Sequence, residues 1–112
     1  MASIKTITAR ADFLRLNRGR KSVSPFFILR SGQGPMPDAM RVGYTVTTKC
    51  GNAVVRNRIK RRLRALVKEL LPELGKPGTD YVFIALAEAK PNAADAPFDA
   101  LREAMQRVLK AA

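Results

Sequence analysis

Residues 49–68, KCGNAVVRNRIKRRLRALVK, combine dense positive charge with the spacing of a half-buried helix. Six of the nine residues from Arg56 to Arg64 are Lys or Arg. Through them runs an apolar stripe, Val55, Ile59, Leu63, Leu66 and Leu70, at intervals of three or four. At about 100° per residue these five fall within roughly a quarter of the helix circumference. Arg56, Lys60 and Arg64 form a ridge at i, i+4, i+8, with Asn57, Arg61 and Lys68 beside it; Arg58 and Arg62 border the stripe from its other side. Asn52 is placed to cap the helix after Gly51, and Pro72 followed by Gly75 is expected to end it. A solvated basic helix is the bland alternative. Like charges at i, i+4 repel by about 0.2–0.5 kcal/mol per pair, however, and no acid interrupts this ridge. The pattern asks for a core on one face and a polyanion over most of the rest.

The whole chain of 112 residues carries 21 Lys+Arg against 9 Asp+Glu, a net charge of +12. Its distribution is sharper than its total. Residues 1–68 hold 16 basic and 2 acidic residues, a net of +14; residues 69–112 hold 5 basic and 7 acidic, a net of −2. One part is an electrostatic footprint and the other ordinary scaffold. The length suits one domain, residues 1–112, with one modest core. A single Cys excludes an internal disulfide and a thiolate zinc cluster. No apolar run approaches the ~18 residues of a membrane span and no signal-peptide core is visible, so a cytoplasmic protein is expected.

Along the chain, residues 1–5 read as loose, and Thr8 as the cap of a short helix over about 9–17 with Phe13 and Leu16 as its larger apolar residues. Arg18–Lys21 reads as a basic turn. Pro25 suits a strand start, and Phe26–Arg30 alternates as a strand. The Gly- and Pro-rich 31–38 joins it to a second strand over 40–48, which predicts a long antiparallel hairpin. In that second strand Val42, Tyr44 and Val46 share one face; Arg41, Gly43, Thr45 and Thr47 share the other, small and polar enough for either a ligand or plain solvent. After the basic helix come a turn at 75–80, a buried strand over 81–87, a loop at 88–96, and a last helix with the stripe Phe98, Leu101, Met105, Val108 and Leu109. The sum is α+β: a two-layer sandwich of a small mixed sheet and three helices, containing a β-α-β unit.

Hydrolytic chemistry is hard to place on these residues. The chain has no His. Only Asp12 and Asp38 lie in the basic region, in no paired spacing, and the acids of the last third suit caps and solvated faces. No Gly-rich loop leads into a helix to cradle phosphate. No catalytic residue and no metal-ligating set emerges on this chain. A nuclease acting by protein alone is therefore disfavoured, while a ribosomal or general nucleic-acid-binding protein fits the composition as well as any other RNA binder.

A longer motif narrows that choice. VGYTVTTKCGNAVVRNRIKRRLRALVKE, residues 42–69, resembles the protein subunit of bacterial ribonuclease P, and GNAVVRNRIKRRLR matches that family's RNR motif. Weaker resemblance runs from about Thr8 to the C-terminal helix. Cys50 departs from the usual aliphatic residue, as a small hydrophobe can. The resemblance implies a β-α-β crossover of left hand, where general rules favour the right. It also implies that a partner RNA subunit performs the cleavage with Mg²⁺ that the RNA mainly holds. This chain would bind that ribonuclease P RNA and the precursor tRNA, with no membrane and no obligate protein partner. RNA contact is expected at Lys49, Arg56, Asn57, Arg58, Lys60, Arg61, Arg62, Arg64 and Lys68. The single-stranded 5′ leader is expected in a cleft between the first helix and the sheet, at Phe13, Asn17, Phe26, Ile28, Arg30, Thr45 and Thr47. Phe13 matches the family's cleft aromatic, with plain core as its alternative. Asn17 stands where a second aromatic is common, and Arg30 where the strand often has Tyr.

Overall fold

The most apolar strand of the chain lies at the middle of its sheet. The computed structural model describes residues 3–112. Its elements are β1 (Ser3–Thr6), α1 (Arg10–Leu16), β2 (Arg20–Val23), β3 (Phe27–Gln33), β4 (Ala39–Thr45), a 3-10 turn at Thr48–Cys50, α2 (Ala53–Leu74), β5 (Thr79–Ala85) and α3 (Phe98–Ala111). The sheet order is β1-β4-β5-β3-β2. β5 pairs parallel with β4 and antiparallel with β3. Both its faces are covered, and Val82 and Phe83 are alike buried.

This order corrects the expected hairpin. β3 and β4 are not neighbours, because β5 inserts between them. The tight hairpin is β2–β3 instead, where Ser24 Oγ accepts from the N–H groups of Phe26 and Phe27 and donates to the Phe27 carbonyl. The basic turn read at 18–21 is thus partly strand β2. Of residues 1–5, read as loose, 3–5 pair together with Thr6 as β1, parallel to β4, while 1–2 lie outside the described residues. All four are exposed, so backbone bonds hold this edge and no alternation of burial announces it.

α2 and α3 pack on one face of the sheet. Ile59, Leu63, Leu66 and Leu70 of the predicted stripe are buried there, together with Val67 and Leu71; Val55 is half-buried. They meet Leu101, Met105, Val108 and Leu109 of α3 over Phe27, Leu29, Met40, Val42, Tyr81 and Phe83. The Phe27 and Phe83 rings meet edge to face at 5.6 Å. Asn52 caps α2 as predicted, accepting from the Val55 N–H at 3.0 Å. Gly51 before it has φ 146°, a backbone that side chains disfavour. Pro72 does not stop the helix, which runs to Leu74 with Gly75 as C-cap. Pro72 is exposed, while Leu70 and Leu71 beside it are buried and hold the last turn through the lost hydrogen bond. At α1, Ala9 rather than Thr8 occupies the cap position, without a side-chain bond.

Candidate nucleic-acid interface

The strand registers set out three rows of side chains on the sheet face opposite α2 and α3. They are Arg41–Asp80–Gly32, then Gly43–Val82–Arg30–Lys21, then Thr45–Ile84–Ile28–Val23. α1 lies across the first two. Phe13 packs on Gly43, where an added Cβ would come within 2.7 Å of the ring, and Leu16 packs on Gly32. Ile7, Leu16 and Val82 form a second, small core there, flanked by Phe13 and Ile84. The third row is not covered by these contacts, and a groove follows it beside α1.

An ion cluster fastens α1 in that position. The Asp80 side chain is 1% exposed and accepts from Arg41 Nε at 3.0 Å and Nη2 at 2.6 Å. Arg15 of α1 reaches the same carboxylate at 2.6 Å and donates a second bond to the Gln33 carbonyl. Asp12 sits 3.1 Å from Arg41 and 3.4 Å from Arg15. The hydrogen bond from Arg41 holds the Asp12 carboxyl below its usual range, and the bond to Asp80 raises Arg41 in turn. Sequence reading missed this cluster, since its members lie far apart in the chain. The available signal was a lone carboxylate, Asp80, abutting the run YVFIA.

The groove opens where β1 stops. β1 pairs no further than Thr6 with Val42, and Ile7 adds one bond to the Val42 carbonyl. Beyond it a cleft of about 550 Å³ is lined by Thr8, Arg10, Phe13 and Asn17 on one side and Tyr44, Thr45, Val46, Val82, Ile84 and Lys60 on the other. Phe13 and Tyr44 are half-buried, each keeping part of a ring available. Tyr44 stacks on Phe83 at 6.2 Å and lies 5.7 Å beneath the Arg64 guanidinium. Burial pushes the Tyr44 hydroxyl up to about 12, with the Arg64 charge opposing.

The expected site residues separate into groups. Phe13, Asn17 and Thr45 do line the cleft. Phe26 does not: it packs on the α3 side, in a separate hollow with Ala100 and Ala104, because the step from Phe26 to Phe27 occurs in the β2–β3 turn. Thr47 is exposed and precedes the 3-10 turn as its N-cap, beyond the end of β4. Ile28 and Arg30 lie on the cleft's face, one strand past its lining residues. Thr8, Arg10, Tyr44, Val46 and Lys60 were not anticipated there. Tyr44 and Val46 belong to the face read as core, and reach the cleft because the edge of β4 is open at that level.

On α2, Asn57, Lys60, Arg61 and Arg64 line a hollow of about 470 Å³ with Val54. Lys49 and Lys68 are exposed, while Arg56 is half-buried with its Nε enclosed and lacking a hydrogen-bond partner. Arg58 and Arg62 are engaged otherwise. Arg58 Nε donates to the Ala94 carbonyl, and Arg62 donates to the carbonyls of Ala93 and Ala96 while lying 5.5 Å from the Phe98 ring. Burial lowers Arg62, and the charge of Arg58 adds to it. Among the described residues, none of the cations of α2 makes an ion pair; its acid Glu69 binds Arg102 of α3 instead. No three His, Cys, Asp or Glu side chains cluster as a metal site among the described residues.

Fold and surface together define a small basic α+β domain of the RNA-binding kind, with an unpaired cationic helix face beside an aromatic cleft. The ribonuclease P family model matches residues 1–112. The ribonuclease P protein component of Ruegeria pomeroyi is 37% identical over 97% of this chain and 86% of that protein. Its counterpart in Erythrobacter litoralis is 43% identical over 95% and 84%. Among solved structures, the ribonuclease P protein of Thermotoga maritima superposes with a TM-score of 0.83 at 25% identity, covering 96% of this chain and 97% of that one. That of Staphylococcus aureus gives 0.78 at 29% identity, over 95% and 93%. The chain belongs to the ribonuclease P protein family. It is a subunit of an endoribonuclease that processes tRNA, a ribonucleoprotein, and as such associates with ribonuclease P RNA.

Proposed function

We propose that the α2 face holds the RNA subunit while the α1–sheet cleft takes the single-stranded 5′ leader of precursor tRNA. The observation that carries this reading is Lys60, which lines both the cleft and the basic hollow. A strand leaving the cleft therefore passes directly onto the cationic helix. Lys49, Arg56, Asn57, Arg61, Arg64 and Lys68 supply phosphate contacts, and arginine forks suit bidentate contact with phosphate oxygens. Arg58 and Arg62 act mainly by fixing the 93–96 turn against the helix, and offer their remaining charge. Phe13, with Tyr44 opposite, offers ring surface to unpaired bases, while Asn17, Thr45 and Thr8 offer hydrogen bonds without a fixed base code.

For Mg²⁺, which the family implies, the carboxylates beside the cleft are not free ligands. Asp12 and Asp80, the carboxylates nearest the cleft, already face Arg15 and Arg41. Cleavage is assigned to the RNA subunit, and the protein's share is to hold the leader and so position the scissile bond. The test is binding of precursor and mature tRNA to the reconstituted complex at fixed salt and Mg²⁺. Phe13→Ala should weaken precursor binding selectively by about 5- to 150-fold, the scale of one stacked base at about 1–3 kcal/mol. Equal weakening of both RNAs with the far-ultraviolet spectrum retained removes the cleft from the account.

A further inference from the structure

α1 rests on glycine twice. Leu16 stands over Gly32 of β3 and Phe13 over Gly43 of β4, in adjoining rows of the sheet. Neither glycine is there for its backbone. Among the described residues only Gly51 and Gly78 have positive φ, so a side chain at 32 or 43 brings no backbone strain. The reason is space, and the two seats differ in how tight they are. A Cβ at Gly32 would lie 3.2 Å from the tip of the Leu16 side chain, which can turn aside. A Cβ at Gly43 would lie 2.7 Å from two carbons of the Phe13 ring and 3.3 Å from the Ile7 Cβ, closer than ordinary van der Waals contact. α1 is not free to rise and make room. Arg15, two residues on, donates to Asp80 at 2.6 Å and to the Gln33 carbonyl at 2.7 Å, and Leu16 is 1% exposed. Pinned at that turn, the helix passes the displacement to the ring itself. An added methyl group pushes Phe13 outward, into the cleft that it lines with Tyr44 and Thr45.

We propose that Gly43 is a positioning residue for substrate: by carrying no side chain it lets the Phe13 ring settle onto β4, and so sets the width of the cleft. Gly43 is buried and does not line the cleft, so it acts through Phe13 alone. The inference rests on the cleft reading above and adds the residue that fixes its geometry. Gly32 has no such part, because the Leu16 side chain above it belongs to the small core and lines no part of the cleft. The same substitution at the two seats therefore separates placing α1 on the sheet from placing the ring before the substrate.

The experiment is a double-mutant cycle in the reconstituted complex at fixed salt and Mg²⁺. Parent, Gly43→Ala, Phe13→Ala and the double variant each bind precursor and mature tRNA, with Gly32→Ala as the comparison. Gly43→Ala should weaken precursor binding about 3- to 10-fold and mature tRNA binding less than about 2-fold, a part of the one stacked base that Phe13 offers. On top of Phe13→Ala it should add less than about 2-fold, because the ring through which it acts is gone. Gly32→Ala should leave the preference for leader-bearing RNA within about 2-fold of the parent's. Additive losses in the cycle, equal weakening of both RNAs, no effect of Gly43→Ala, or an equal effect of Gly32→Ala each overturn the positioning role. If Gly43→Ala loses its far-ultraviolet spectrum, the double variant decides: recovered folding with the affinities of Phe13→Ala supports the seat, and no recovery overturns it. A selective loss in Phe13→Ala without one in Gly43→Ala removes Gly43 and leaves the cleft standing, whereas an unselective Phe13→Ala removes the cleft itself.

Discussion

Arginines do opposite things on the two sides of this molecule. Under α1, Arg15 and Arg41 converge on the buried Asp80, and Asp12 completes a neutral cluster of two cations and two anions. On α2, Arg61 and Arg64 stand exposed without an internal acid. The first arrangement satisfies its charges inside the fold and fixes a helix over a sheet. The second leaves them unsatisfied, which the isolated protein tolerates only because water solvates them. Charge that is paired within the chain is architecture; charge left without a partner marks where another molecule belongs.

That contrast can be broken most forcefully at Asp80. Asp80→Asn should destabilise the protein by about 3 kcal/mol in denaturant unfolding, because it leaves guanidinium charge facing an uncharged, buried group. A loss below about 1 kcal/mol would mean that the cluster is too hydrated to matter. Arg61→Glu should do the reverse. Stability should stay within about 0.5 kcal/mol, while RNA affinity falls roughly 10-fold at low salt. For the parent, contact with about 4–6 phosphates gives a log–log salt slope of roughly −3 to −5, and the variant should be flatter by about 1 or more. A flat response in the parent would dissociate the helix face from phosphate binding.

The smallest effects come from titration, and their signs differ. Asp12 is held below its ordinary 3.8, so between its folded and unfolded values the unfolded chain binds more protons. Its contribution is complete above that ordinary value and is lost as pH falls through the folded one. Asp12→Asn should flatten the acid limb of stability against pH. Tyr44 is raised from 10.0 to about 12, so its contribution is complete below 10 and lost as pH rises through the folded value. Tyr44→Phe should remove that alkaline loss, measured as the difference between the two unfolding profiles. Identical profiles would place the Tyr44 hydroxyl in open water.

The basic helix was legible because two periodicities coincide in it: the stripe from Val55 to Leu70 and the ridge from Arg56 to Arg64. The stripe of α3 and the burial of β5 were legible for the same reason. What failed was pairing. Residues 3–6 and Arg20–Val23 are mostly exposed edge strands held by backbone bonds, so their side chains carry no pattern to read. The neighbour of β3 is decided by a strand some 50 residues later, which local turn chemistry at 31–38 cannot reveal. Of the cleft, Phe13, Asn17 and Thr45 were placed and Phe26 was misplaced by one face, since a turn interrupts the alternation there. Lys60 was seen as a phosphate ligand, but its second position, at the cleft, depends on how closely α2 passes β4.

The insertion of β5 between β3 and β4 has a consequence for how the protein comes into being. A ribosome makes the chain from its N-terminus, so both flanking strands and the whole of the cationic helix emerge before the strand that joins them. Until residues 79–85 are free, α2 has no sheet to bury its stripe against, and α1 has no Asp80 to hold it. The nascent polypeptide is then a strongly positive, unfolded segment. The β2–β3 hairpin can close locally, but closure of the whole sheet must wait for a contact between distant parts of the chain. The cationic helix face and the cleft therefore take shape together, late in synthesis, when the least basic third of the sequence arrives to organise the rest.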